Sequence, residues 1–330
     1  ATSNNLGLSG TPCCFHTPTA DMSANDADLC PGYSTEAKTT STSIYEEAKD
    51  LDEYELNTMT TLRTKFSGED RAISDTYALQ FVRGYRSEKD AEKVTIEKYS
   101  EMLDTRKKYG IDTILDQRPE FWEEFNTVRK LGVLGRTKEG RPVFYERLGM
   151  YEPQEGNKLG FDKVFEGHIR MQEEMRVLKE SMSRKMGQRM YKHVVVLDMN
   201  GFGLRHMSPD VVRKLRKLMS FDSFMYPESL KHLYIVNAPW IFQKAWTMVK
   251  GILHETTQKR IKIVGKDQKT ILRKLTRIVD LAQIPTWLGG QNEDDICGIC
   301  SENFEEVWKK ARLETCEDMG GQDESKSCRF

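Results

Sequence analysis

Three short apolar runs, His193–Asp198, Leu233–Val236 and Ile261–Val264, are separated by stretches with a helical period, and this alternation leaves few folds open to the chain. Short runs rich in Val, Ile and Leu with no polar face read as strands covered on both sides, the setting of a parallel sheet. Parallel neighbours need long crossovers. Ser208-Pro209-Asp210 opens one over Val211–Phe224, with Pro at the first helical position, and Trp240–Leu253 supplies another. A helix over Asp267–Arg277 follows the last run. Upstream, Val133–Arg136 and Val143–Arg147 flank a Lys138-Glu139-Gly140 turn and read as a hairpin. The expected class is α/β, with a mostly parallel sheet and right-handed crossovers.

Ahead of the sheet the period is helical. The pattern predicts helices over Ile44–Phe66, over Tyr77–Tyr85 behind a Ser74 cap, from Lys89 to Tyr109 before Gly110, and around Phe121–Lys130. A longer helix is expected over Phe161–Met190. The resulting division is a disordered tail over 1–43, a helical N-terminal lobe over 44–130, a sheet domain over 131–290 and an acidic tail over 291–330. Residues 1–43 are Ser/Thr-rich and lack any sustained apolar period, so they cannot offset chain entropy by burial. They also lack the basic start and apolar stretch of a signal peptide.

Charge is unevenly spread. The total is −1, with −3 over residues 1–43, −6 over 291–330 and therefore +8 over the body. A basic body predicts an anionic partner: a phosphorylated ligand, an acidic membrane surface or nucleic acid. The cysteines fall outside the body, at Cys13, Cys14 and Cys30 and at Cys297, Cys300, Cys316 and Cys328, which points to a reducing compartment. No run approaches the ~18 apolar residues of a spanning helix.

Enzyme signatures fail in turn. The chain has no phosphate-binding Gly-x-x-x-x-Gly-Lys-Ser/Thr loop, no Gly-x-Ser-x-Gly elbow and no His-Glu-x-x-His pair. Gly201-Phe202-Gly203 lacks the third glycine of a dinucleotide loop. Cys297-Gly-Ile-Cys300 is a single Cys-x-x-Cys in an acidic tail; solvated thiols are the simpler reading than a zinc or redox site. Nothing resembles a nucleic-acid-binding motif, so neither an enzyme nor a nucleic-acid partner is expected.

A series of segments does match something. Phe81-Val-Arg-Gly-Tyr-Arg86, Tyr109-Gly-Ile-Asp-Thr-Ile-Leu115 and Gly140-Arg-Pro-Val-Phe-Tyr-Glu146 precede Val194-Val-Val-Leu-Asp-Met-Asn-Gly201. Tyr226-Pro-Glu-Ser-Leu230, Ile235-Val-Asn-Ala-Pro239, Lys259-Arg-Ile-Lys-Ile-Val-Gly265 and Ile284-Pro-Thr-Trp-Leu-Gly-Gly290 follow. In this order and spacing they resemble the CRAL-TRIO lipid-binding family, within it the yeast-type phosphatidylinositol/phosphatidylcholine transfer branch, over roughly residues 70–290. The resemblance implies a helical N-terminal lobe and a CRAL-TRIO domain whose mostly parallel sheet floors an apolar lipid pocket closed by a gate helix. Trp240–Leu253 is the segment expected to close it, through Trp240, Phe242, Trp246, Val249 and Leu253. Its apolar residues exceed one buried stripe, although an ordinary crossover helix would also be apolar.

Headgroup residues carry over singly. The family's inositol-lipid site implies Glu228, Thr257 and Arg260, the last replacing a lysine with a fork suited to phosphate oxygens. Structural roles, a salt bridge for Glu228 and a turn for Thr257 and Arg260, remain open beside this. The resemblance puts an arginine of the first pocket helix on Tyr85, with two readings open: the adjacent Arg86 substitutes for it, or that contact is lost. Hydroxyls of the family's choline-lipid site are replaced by His193 and Val195, and a tyrosine of that site by Gln172. Alternation puts His193, Val195 and Leu197 on one face, which the resemblance implies is the pocket face. Phosphatidylinositol is thus the expected ligand, exchanged for a second hydrophobic molecule other than phosphatidylcholine.

The resulting expectation is a monomeric, non-enzymatic carrier of phosphatidylinositol. It would be cytoplasmic and peripheral at an anionic surface of an internal membrane such as Golgi or endosome, with no cofactor and no metal. Two alternatives stand beside it. One is a lipid-gated adaptor presenting phosphatidylinositol to a kinase, docking through Glu302–Lys310; the other is a haem-binding member with His193 and Tyr85 as ligands.

Overall fold

The computed structural model describes residues 51–67, 74–253 and 255–293. The expected tail over 1–43, the start of the first helix at Ile44, Cys297, Cys300 and the Glu302–Lys310 segment lie outside the described residues.

Each helix of the N-terminal region starts or stops where local chemistry requires. α1 (Glu53–Lys65) opens where the Asp52 carboxylate accepts the Glu55 N–H at 3.0 Å. α2 (Asp75–Gly84) is capped by the Ser74 hydroxyl, which accepts from the Tyr77 N–H at 3.2 Å. α3 (Ala91–Tyr109) stops at Gly110, whose φ of 61° a side chain would resist. A short α4 (Trp122–Val128) leads into the sheet.

The sheet has five strands in sequential order: β1 (Leu131–Arg136), β2 (Pro142–Glu146), β3 (His193–Asp198), β4 (Leu230–Val236) and β5 (Ile261–Ile263). The β1–β2 hairpin is antiparallel and the other three pairings are parallel, so the α/β expectation holds. Sequential order combined with right-handed crossovers puts every connection on one face. Those connections are α5 (Pro153–Leu159) and α6 (Phe161–Met186), then α7 (Pro209–Met225), then α8 (Phe242–Val249) and α9 (Glu255–Lys259). The opposite face, with Val194, Val196, Tyr234 and Val236, is sealed by Ile271 and Leu275 of α10 (Gln268–Leu275) and by Ile284 and Leu288 beyond it.

Three boundaries differ from expectation. α6 ends at Met186, not Met190: Gly187 turns at φ 61°, and the Ser183 hydroxyl accepts the Met190 N–H at 2.7 Å. α5 was unexpected, although Pro153 at its first turn and Gly160 after its end are its signals. The continuous helix expected over Trp240–Leu253 is broken. α8 covers only Phe242–Val249, and a 3₁₀ turn over Lys250–Ile252, with Gly251 at its centre, follows on the way to α9.

α6 is the least conventional element. His168, Arg170, Glu173, Glu174, Arg176, Lys179 and Glu180 are all buried, because α2 and α3 cover one flank of the helix and the sheet layer the other. Glu173 lies at the centre. It accepts two N–H bonds from Arg106 of α3 at 3.0 and 3.1 Å, two from Arg176 at 2.9 and 3.0 Å, and the Tyr226 hydroxyl at 2.9 Å. Burial raises its pKa, but the two guanidiniums more than reverse this and hold it at about 2. The depressed value stabilises the fold above pH 4.5, and that contribution is lost as pH falls toward 2.

Glu173→Ala strands two buried guanidiniums and is expected to destabilise the chain by about 3–5 kcal/mol, read from urea midpoints at pH 7. At pH 2 the variant and the wild type should differ by much less, since the wild-type carboxylate is then about half protonated and nearly all of the stability from its depressed pKa is gone.

Candidate functional site

Between the sheet and its crossovers lies a cavity of about 430 Å³, within the roughly 300–1,000 Å³ of ligand pockets. Strand alternation builds its floor. Val195 and Leu197 of β3 and Leu233 and Ile235 of β4 point into it, while Val194 and Val196 point to the sealed face. Val164 and Leu218, from α6 and α7, belong to the roof. The roof is not uniformly apolar. His168 Nε2 is 2.8 Å from an Asp222 carboxylate oxygen, and Gln172 lines the cavity one turn further on.

One end is charged. Both Glu228 oxygens accept from Arg260 Nη2, at 2.8 and 2.9 Å, and Lys192 donates to the same carboxylate. Burial raises the Glu228 pKa, but Lys192 and Arg260 outweigh it and hold the carboxyl below its usual range. Arg260 also donates to the Leu230 carbonyl at 3.1 Å. Thr257 sits one turn earlier, at the middle of α9, and its carbonyl accepts the Arg260 N–H at 3.0 Å. Thr257, Arg260, Glu228, Tyr85 and His193 therefore all line one cavity. Lys192 was not foreseen. It lies before β3, outside the alternation that singles out His193, and no pattern distinguishes it from other surface lysines.

Glu228 adopts φ 57°, a left-handed conformation unusual for a side-chain-bearing residue. The segment before it is clamped by α2: the Tyr77 hydroxyl donates to the Met225 carbonyl, and Gln80 donates to the Pro227 carbonyl at 2.8 Å. Gly84 completes the clamp, since a Cβ there would lie 2.9 Å from that of Pro227. Such strain at a cavity-facing residue is retained only where surrounding structure imposes it.

Two expected positions are corrected. Arg86 does not reach the cavity. α2 ends at Gly84, Tyr85 turns inward, and Arg86 points to the other side, where Asp52, Glu55 and the Tyr54 ring engage its guanidinium. Trp240 is not part of the closing face. It lies in the turn before α8 and is 75% exposed, whereas Phe242, Trp246 and Leu253 line the cavity. The Val249 side chain lies outside the described set.

α8 is lightly held. Phe242 is its one buried side chain among those described, resting on Phe202 with ring centroids 5.9 Å apart. Arg216 of α7 donates to the Met248 carbonyl at 2.6 Å. Its outer side exposes Met248, and Lys244 lies 5.9 Å from the Trp240 ring centre. Among the described residues no helix is long and apolar enough to cross a membrane, and no group of three or more His, Cys, Asp or Glu side chains could hold a metal ion.

Comparison with known proteins places this geometry. The model of the CRAL/TRIO domain family matches residues 126–290, half of the chain. Phosphatidylinositol/phosphatidylcholine transfer protein SFH7 of Arabidopsis thaliana is 31% identical over 243 residues, covering 71% of this chain and 42% of that protein. SFH13 of the same plant, which carries the same description, is 33% identical over 202 residues, covering 59% of this chain and 32% of its own length. The chain thus spans less than half the length of these curated relatives. The crystal structure of Sfh5 shares the fold, with a TM-score of 0.55 and 16% identity over 80% of this chain and 98% of that one.

Glu228→Gly removes two ion pairs but also a left-handed side-chain-bearing residue, which alone costs ~1–2 kcal/mol. Its melting temperature is therefore expected within about 3 °C of wild type. Glu228→Ala, which keeps the strain, should melt measurably below Glu228→Gly in the same calorimetric scan.

Proposed function

Since the chain belongs to the CRAL/TRIO family, we propose that it withdraws phosphatidylinositol from one membrane, carries it in this cavity and releases it to another in exchange for a second hydrophobic ligand, without chemistry. The observation behind this reading is the junction of an apolar hollow with a charged end in which Arg260 and Thr257 stand beside Glu228. A phosphodiester taken out of water needs a cation and hydrogen-bond donors. Arg260 supplies the first, Thr257 adds a hydroxyl, and Glu228 accepts inositol hydroxyls while orienting the guanidinium. The curated relatives described as phosphatidylinositol/phosphatidylcholine transfer proteins support the same substrate class.

Energetics dictate the route. At ~0.8 kcal/mol per methylene, a two-chain lipid with about thirty methylenes would cost on the order of 25 kcal/mol to expose. Uptake therefore happens at a bilayer, with the cavity open toward it. α8 is the segment that opens, because among the described residues Phe242, Trp246 and the Arg216–Met248 hydrogen bond are what retain it. Its exposed Trp240 and Met248, beside Lys244 and Lys250, suit an interface with anionic headgroups. This makes the protein a peripheral visitor to internal membranes such as Golgi or endosome.

The test is transfer of radiolabelled phosphatidylinositol between liposomes. Thr257→Asp and Arg260→Ala are each expected to reduce transfer about tenfold or more, as loss of a hydrogen bond to a charged group implies, with circular dichroism unchanged. Transfer equal to wild type by both variants would remove the headgroup assignment.

A further inference from the structure

Next to the headgroup end lies a polar pair that the phosphatidylinositol site does not use. Lys179 of α6 is 5% exposed, and its ammonium is 3.5 Å from Nδ1 of His193. The carboxylates nearest it along the helix are occupied: Glu173 by Arg106, Arg176 and Tyr226, and Glu180 by Arg176 and Ser74. His193 is itself 7% exposed and lines the cavity at the first residue of β3, with its backbone N–H donated to the Ser229 carbonyl at 3.0 Å. Its second ring nitrogen, Nε2, bonds no described residue and is not sealed by protein.

These contacts fix the chemistry the ring presents. Burial pulls the Lys179 pKa down to about 7, yet its nitrogen carries hydrogens to donate in either form; with that N–H on Nδ1, the hydrogen of the neutral ring sits on Nε2. Burial, reinforced by the Lys179 charge, keeps the imidazole pKa well below its ordinary value, so the ring stays neutral and offers one N–H to the cavity. The surroundings are positive. Lys179 is against the ring, and Lys192 and Arg260 together hold Glu228; of the other carboxylates lining the cavity, Glu146 is held by Arg129, Asp222 by His168, and Glu88 is exposed. A trimethylammonium head would meet repulsion and no free carboxylate.

We infer that the Lys179–His193 pair is an anion-recognition subsite, and that the second ligand is a long-chain amphiphile with a compact anionic head, a carboxylate or a phosphomonoester, in place of phosphocholine. The inference rests on reading the cavity as a lipid site, but not on phosphatidylinositol as its occupant.

The experiment uses cis-parinaric acid, fluorescent when shielded from water, bound to the full chain and displaced by oleate, lysophosphatidate, methyl oleate or lysophosphatidylcholine. Oleate or lysophosphatidate should displace at concentrations at least about tenfold below those of methyl oleate and lysophosphatidylcholine, and the order of the first two identifies the head. His193→Leu and Lys179→Met should each shrink that preference to under about threefold. Failure of parinarate to bind, equal displacement by acid and ester in the wild-type chain, or an undiminished preference in both folded variants overturns the proposal; the wild-type comparison decides even if neither variant folds. The radiolabelled transfer assay on the wild-type chain separates the two readings. Normal phosphatidylinositol transfer without an acid preference sinks the subsite alone. An acid preference without such transfer supports the subsite and sinks the headgroup reading.

Discussion

A single carboxylate, Glu173, sets the geometry on which the cavity depends. Its oxygens are shared by Arg106, Arg176 and Tyr226, groups from the N-terminal helices, from α6 itself and from the end of α7. Desolvating two guanidiniums is expensive, and the arrangement is tolerable only because the hydrogen bonds are complete and geometrically specific. The consequence is positional. Tyr226 is fixed, the next residues are clamped by Tyr77 and Gln80, and Glu228 is forced into a left-handed conformation facing the cavity. The N-terminal helices are thus part of the site although few of their side chains touch its interior.

Much of this frame is legible from sequence because it follows from local rules. The Ser74 and Ser208 caps, the stop at Gly110 and the apolar run His193–Asp198 each place an element where the structure has it. The side of β3 that faces the cavity follows from a period of two. α6 defeats such reading. Its seven buried titratable residues, from His168 to Glu180, look like a solvated face, and only the tertiary pairing of Arg106 with Glu173 reveals that both flanks of the helix are covered. Arg86 fails for the opposite reason: adjacency to Tyr85 suggested a shared direction, yet neighbours at a helix end diverge, and Asp52 and Glu55 claimed its charge. Lys192 was invisible because its role is made by a contact 36 residues away in sequence.

The segment opposite the sheet shows how composition can be right while geometry is not. An excess of apolar residues over Trp240–Leu253 signals a helix with more than one apolar side, and such a helix does cover the cavity. Sequence alone does not say which apolar residues go inward. Phe242 and Trp246 do; Trp240 and Met248 face outward. The turn at Pro239 sets this division, because the Phe242 N–H bonds the Pro239 carbonyl at 2.9 Å and leaves Trp240 on the outside of the bend.

That division bears on how a carrier can open without unfolding. An ordinary amphipathic helix leaving its site exposes its whole apolar face to water, at ~25 cal/mol per Å². α8 has apolar groups on both sides, so at a bilayer the outward pair can enter first and the inward pair can follow while neither is hydrated. The parallel strands beneath need not move, since their hydrogen bonds and the sealed face with Ile271 and Leu275 are independent of α8. Rigidity is concentrated in the α6 network and the sheet, and mobility in an element retained chiefly by Phe242. The charged end of the cavity lies past the 3₁₀ turn at Lys250–Ile252, where Arg260 is anchored to β4 and Glu228. On the proposed carrier reading, a swing of α8 that pivots at this turn opens the apolar part of the cavity and leaves Thr257 and Arg260 in place, so a lipid would leave tail-side into the bilayer with its headgroup still held.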